Sequence, residues 1–150
     1  MAYDKGKYNG LKIASNTYNT ICTTLQGLLD VPEIKNSCIV SHYIIANIIN
    51  QALFCEIALK ALIVRDEKTY GKTHTLDDLF YTLKLETQQL IKREVGVEND
   101  TNFANLLTKN NNHFVKWRYF YEGQATDCNP EFMNKFSIAI RTILFNKNLE

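Results

Sequence analysis

The chain has few helix breakers: 6 glycines and 2 prolines in 150 residues. That scarcity argues against a loop-rich sandwich or barrel and favours long helices. It also has no excess charge of one sign. The 17 Lys and Arg stand against 16 Asp and Glu, a net of +1. A strongly basic nucleic-acid binder is excluded on that balance, and only a local patch stays open. Long apolar runs are missing too. Ile44-Ile45-Ala46-Asn47-Ile48-Ile49 is broken by an amide, and Glu56 and Lys60 follow, so no membrane span is expected. Met1 to Lys7 has no apolar stretch of the kind a signal peptide carries.

The chemistry-bearing residues are sparse. Cys22, Cys38, Cys55 and Cys128 are scattered, with no CxxC pair and no zinc spacing to a histidine. They are expected to be reduced thiols, mostly buried, in a cytoplasmic protein. Count alone also allows a disulfide scaffold. There are 3 histidines, His42, His74 and His113, and no two form an i,i+4 metal motif. HExxH, a Walker loop, GxGxxG and GxSxG are all absent, which removes sequence support for several enzyme classes. No metal and no cofactor is called for.

What is present is a globular balance of 45% hydrophobic and 22% charged residues. Residues 1–10 read as frayed, and a helical pattern follows from Lys12 to Leu29. Pro32 suits a turn or the first position of a new helix. From Ser37 to Val64 no Gly or Pro intervenes, and Ile44, Ile48, Cys55 and Leu59 recur at helical spacing. Thr73 looks like an N-cap, with Asp77 and Asp78 in the first turn of a helix that reaches about Glu94. Thr87-Gln88-Gln89 is a candidate break. Phe103 to Tyr121 supports another helix, weakened at Asn110-Asn111-Asn112. Pro130-Glu131 opens the last one. The expected fold is all-α, an up-and-down bundle of four to five helices with an N-terminal helical extension. Residues 1–35 form the extension, packed on the bundle, and residues 36–150 the bundle itself.

Three polar groupings are candidates for a site. In Lys72-Thr73-His74-Thr75-Leu76-Asp77-Asp78, His74 falls in the first helical turn and Asp78 four residues on. Lys72 stands where an anion would meet helix-end amides. Alternatively the segment is a cap whose histidine bonds a neighbouring helix. In His113-Phe114-Val115-Lys116-Trp117-Arg118-Tyr119-Phe120-Tyr121-Glu122, Arg118 among aromatics suits a phosphate and a stacked base. Equally, Arg118 pairs with Glu122 on the helix surface. Glu56 and Lys60 are i,i+4 neighbours that point either to solvent or toward His74 or Arg118.

The order of these pieces resembles the HEPN (higher eukaryotes and prokaryotes nucleotide-binding) family. Gln51-Ala52 and Glu56 to Ile63 resemble its first core helix. Thr73-His74-Thr75-Leu76 resembles the threonine–histidine–x–leucine start of its second. Trp117-Arg118-Tyr119 with Tyr121-Glu122 resembles its arginine–tyrosine segment. The likeness spans about Cys38 to Leu144. It implies a compact, often dimeric helical bundle of the kind found in toxin–antitoxin, phage-defence and RNA-processing systems. Members that cut RNA carry an arginine, four to six residues, then a histidine. Here eight residues separate Arg65 from His74, no histidine follows Arg118, and His113 precedes Arg118.

The leading expectation is therefore a non-catalytic module. Lys72, His74, Asp78, Arg118 and Glu122 would bind a nucleotide or RNA phosphate or brace the fold. A homodimer, and an antitoxin or other protein partner, go with that reading. The alternatives are a metal-independent endoribonuclease with non-standard His and Arg placement, and a dimerising structural or protein-interaction module.

Overall fold

Asp4 opens the first helix in the computed structural model, which describes residues 3–97, 99–111 and 129–146. Its carboxylate accepts from Lys7 N at 2.9 Å, an N-cap that satisfies one of the orphan amides. Helix α1 then runs Lys5–Leu29. The stretch expected to fray is thus helical from Lys5, and Tyr8 lies in the core. Thr17, Thr20, Thr23 and Thr24 donate their hydroxyls to the carbonyl four residues back, so the threonine-rich centre is satisfied inside the helix.

Pro32 takes the first position of a one-turn helix, α2 (Pro32–Lys35). Helix α3 (Val40–Arg65) is the spine of the molecule. It packs along α1 and touches two later helices. Its fully buried residues all lie from Ala52 onward, so its second half is the centre of the core. By length and composition alone α3 is apolar enough to cross a membrane, and 56% of that apolar window is buried inside the protein. It ends where Glu67 turns left-handed at φ 59°. Glu67 N donates to Val64 O and Lys68 N to Ile63 O, both at 3.0 Å, which closes the helix end as a Schellman motif.

The remaining elements are α4 (Leu76–Thr82), α5 (Leu85–Val95), α6 (Asp100–Lys109) and α7 (Pro130–Phe145). Helix α7 packs on α3 and α5, while α4 bridges α3 and α6. Phe80, Phe103, Phe132 and Phe136 meet at the junction. Phe103 lies 4.9 Å from Phe80 and 5.7 Å from Phe132, ring centre to ring centre. Those separations are in the favourable range for tilted aromatic pairs.

The fold is all-α, a compact helical module with no strand among the described residues. The expected count of four to five helices is corrected: the described residues form seven. One cause is α2, a turn made helical by Pro32. The other is a break at Leu83–Lys84, earlier than the Thr87–Gln89 position expected. Leu83 and Lys84 are extended, with ψ of 159° and 150°. Side chains take over the freed backbone groups. Asp66 accepts from Lys84 N at 2.8 Å, and Lys68 Nζ and Gln88 Nε2 both donate to Leu83 O. Asp66 also accepts from Thr87 Oγ1 at 3.0 Å and so caps α5 from a distant position. Gly96, at φ 75°, ends α5 in the left-handed conformation that glycine adopts without strain.

Candidate functional site

Glu56 is a carboxylate in the most apolar part of α3, only 5% exposed. Its position faces α4 and the connection before it, so a charge buried there needs partners. One oxygen, Oε1, has two. Lys60 Nζ, one turn on, lies at 2.7 Å, and His74 Nδ1 at 2.8 Å. The other oxygen, Oε2, is buried and has no hydrogen-bond partner. An ionised carboxylate only accepts, so Nδ1 of His74 carries the proton. That fixes the tautomer and turns Nε2 outward, an acceptor when the ring is neutral and a donor when it is protonated. The His74 side chain is 59% exposed, so a fixed imidazole faces outward from a buried anchor.

Cations and an aromatic ring border the pair. Lys60 Nζ sits 5.4 Å from the centre of the Tyr70 ring, and Lys7 Nζ from α1 sits 4.5 Å from the same ring. Lys72 is exposed on the same connection and makes no ion pair among the described residues. The result is a polar face with Lys7, Lys60, Tyr70 and His74 around one buried carboxylate, and Lys72 stands two residues before His74 in the chain.

The structure corrects how His74 and Asp78 were expected to sit. His74 precedes the helix, because Thr75, not Thr73, is the N-cap and α4 begins at Leu76. Asp78 does not join His74. Its Oδ2 accepts from Thr75 Oγ1 at 2.7 Å and Thr73 Oγ1 at 2.8 Å. Those hydrogen bonds, Thr75 first, hold the Asp78 carboxyl below its usual range. The amides expected to receive an anion beside Lys72 are taken. Asp77 N donates to Asn111 Oδ1 and Asp78 N to Asp77 Oδ1, both at 2.8 Å. Asp78 is therefore part of a loop lock.

Arg118 and Glu122, with His113, lie outside the described residues. Of the cysteines among the described residues, Cys55 is buried, Cys22 partly so and Cys38 exposed, and Cys128 lies outside the described residues. No group of His, Cys, Asp or Glu among the described residues is placed to hold a metal ion.

Glu56 is the residue that sequence reasoning weighed and left outside the site. Its signal was a lone carboxylate between Cys55 and Ile57, in a helix with no other charge from Ser37 to Ala58. A charge in such a stretch is rarely idle. Comparison with known proteins found no matching family model, and no curated protein or solved structure that matches the chain.

Proposed function

We propose that this chain is a HEPN-like, non-catalytic module that binds the phosphate of a nucleotide or of RNA at the His74 face. In this reading it acts in the cytoplasm as a homodimer, within a defence or toxin–antitoxin system. The observation that carries the proposal is the Glu56–His74 pair. A buried carboxylate spends its one well-partnered oxygen on orienting an exposed imidazole, and Lys60 and Lys7 place positive charge around it. An oriented ring beside cations and Tyr70 suits a phosphate and an adjoining base.

The test is fluorescence anisotropy with an end-labelled single-stranded RNA. Binding is expected to weaken steadily with salt. His74→Ala should weaken it by about tenfold, the loss of the charge-assisted contact that the protonated ring donates from Nε2. No binding at low salt, or equal binding by folded His74→Ala, overturns the proposal.

The same pair favours one alternative, a metal-independent endoribonuclease. A carboxylate on Nδ1 is how an imidazole is prepared as a general base. Cleavage of that RNA in the presence of a chelator, lost in His74→Ala, would replace the binding reading with this one.

A further inference from the structure

A cavity lies on the other side of α3. Glu56 stands about 180° around the helix from Asn47. Asn47, Gln51 and Phe54 face a cleft of about 440 Å³ between α1, α3 and α7. Its lining is unusual in kind. Asn19 and Gln26 come from α1, Asn47 and Gln51 from α3, Asn134 and Arg141 from α7. Among the described residues of the wall, five are carboxamides, Arg141 is the one charged residue, and there is no acidic side chain and no lysine.

The amides are only partly used. Gln51 Nε2 donates to Ser137 Oγ at 3.1 Å and to Asn134 Oδ1 at 3.4 Å, which ties α3 to α7. Asn47 Nδ2 donates to Gln26 Oε1 at 3.3 Å, which ties α3 to α1. The other end, Asn47 Oδ1, is buried without a partner. An orphaned acceptor of this kind costs about 1–3 kcal/mol unless something donates to it. Arg141 is half-buried and makes no ion pair or hydrogen bond with any described side chain. The cleft therefore carries an unused cation on its wall, with an unpartnered acceptor buried behind it.

We propose that this cleft binds a small organic monocarboxylate with a neutral, amide-bearing body. The carboxylate pairs with the Arg141 guanidinium, whose fork matches two carboxylate oxygens. The carboxamides of the wall meet the N–H and carbonyl groups of the body. Phe54 supplies an apolar wall. A single arginine balances a single negative charge, which favours a carboxylate over a phosphate dianion. The described wall offers a ligand ammonium no acidic counterion, which disfavours free amino acids and polyamines. The proposal does not rest on the His74 reading, since the two sites use opposite faces of α3.

Orotate tests it directly: a planar ring with two amide groups and one carboxylate. Uracil is the same ring without the carboxylate, and N-acetyl-L-glutamine is a non-planar member of the class. Calorimetric titration of the full chain should show saturable binding of orotate or N-acetyl-L-glutamine. Uracil should bind at least about tenfold more weakly, one charge-assisted pair being lost. Arg141→Ala should lose about tenfold for the carboxylates and leave the melting temperature unchanged. Asn134→Leu, which removes a carboxamide from the wall, should lose orotate affinity while remaining folded. Three results overturn the proposal: neither carboxylate saturates the folded protein at millimolar concentration, Arg141→Ala binds as the parent does, or uridine 5′-monophosphate displaces orotate and binds more tightly, which would make the cleft a phosphate site.

Discussion

Glu56 holds His74 across eighteen residues of sequence, Oε1 to Nδ1 at 2.8 Å, and the same oxygen holds Lys60 at 2.7 Å. The relationship is asymmetric. Glu56 and Lys60 have side chains 7% and 13% exposed, whereas His74 is mostly in solvent. The stability consequence belongs to the Glu56–Lys60 pair, and the outward-facing chemistry belongs to His74.

Breaking the buried pair from one side should be expensive. Glu56→Ala leaves Lys60 charged and nearly enclosed, and should cost about 3 kcal/mol in urea denaturation at neutral pH. Replacing both charges with apolar residues of similar size, Glu56→Leu with Lys60→Met, should recover most of that loss. The unpartnered Oε2 strengthens this expectation, because the parent carboxylate already bears an uncompensated desolvation cost. A double variant no more stable than Glu56→Ala would show that the pair contributes net stability.

Asp66 is the second buried carboxylate, and its role is structural. It is 6% exposed and receives Lys84 N and Thr87 Oγ1 at the start of α5. Asp66→Ala strands both donors and should cost about 2 kcal/mol. Amide exchange should quicken first across the opening turn of α5, while the amides of α3 keep their protection. Uniform loss of protection would mean that α5 does not open as a local unit.

How much of this was legible in the sequence follows from which interactions are local. The last helix was placed at Pro130 because proline at a first helical position is a local signal. The span of α3 was visible because 26 residues hold no Gly or Pro and repeat their apolar positions. The break at Leu83–Lys84 was not visible, since its cause is Asp66, eighteen residues away. The α1 start was missed because the polarity of residues 1–10 hid a local cap at Asp4. His74 was singled out by residue type, but its anchor, Glu56, is a tertiary contact. The amide cleft was written as Asn19 and Gln26, Asn47 and Gln51, Asn134 and Arg141, spacings of seven, four and seven that put each pair on one helix face. Nothing in the sequence says that the three faces converge.

Asp78 provides a pH readout of the loop before α4. Thr75 and Thr73 hydroxyls stabilise its charged form, so its folded pKa lies below the unfolded one. The stabilisation is therefore present above the unfolded carboxyl value of about 4 and is lost as pH falls through the lower, folded value. A carboxyl-carbon NMR titration should place the Asp78 midpoint below the ordinary aspartate value. Thr75→Val should move the midpoint up by more than Thr73→Val, because the Thr75 hydrogen bond is the larger cause. Equal, unmoved midpoints in both variants would remove the threonine lock as the explanation.

The thiols separate by burial, and this can be read chemically. Burial pushes the Cys22 thiol up to about 11, with a backbone hydrogen bond offsetting part of the rise, and pushes Cys55 well above its usual range. The thiolate is the reactive species, so at pH 8 only ~0.1% of a thiol with that value is available. Cys38 is exposed. Iodoacetamide labelling of the folded protein at pH 8, followed by peptide mass mapping, should modify Cys38 first. Cys22 should lag by roughly a hundredfold, through its smaller thiolate fraction and restricted access. Raising the pH should speed Cys22 by about tenfold per unit until it approaches 11, as long as the fold holds. Cys55, fully enclosed in α3, should label only at the rate of unfolding or local opening, and therefore respond to denaturant rather than to pH. If Cys22 labelled as quickly as Cys38, α1 would have to lift from α3 readily, and the cleft between α1, α3 and α7 would not be a preformed one.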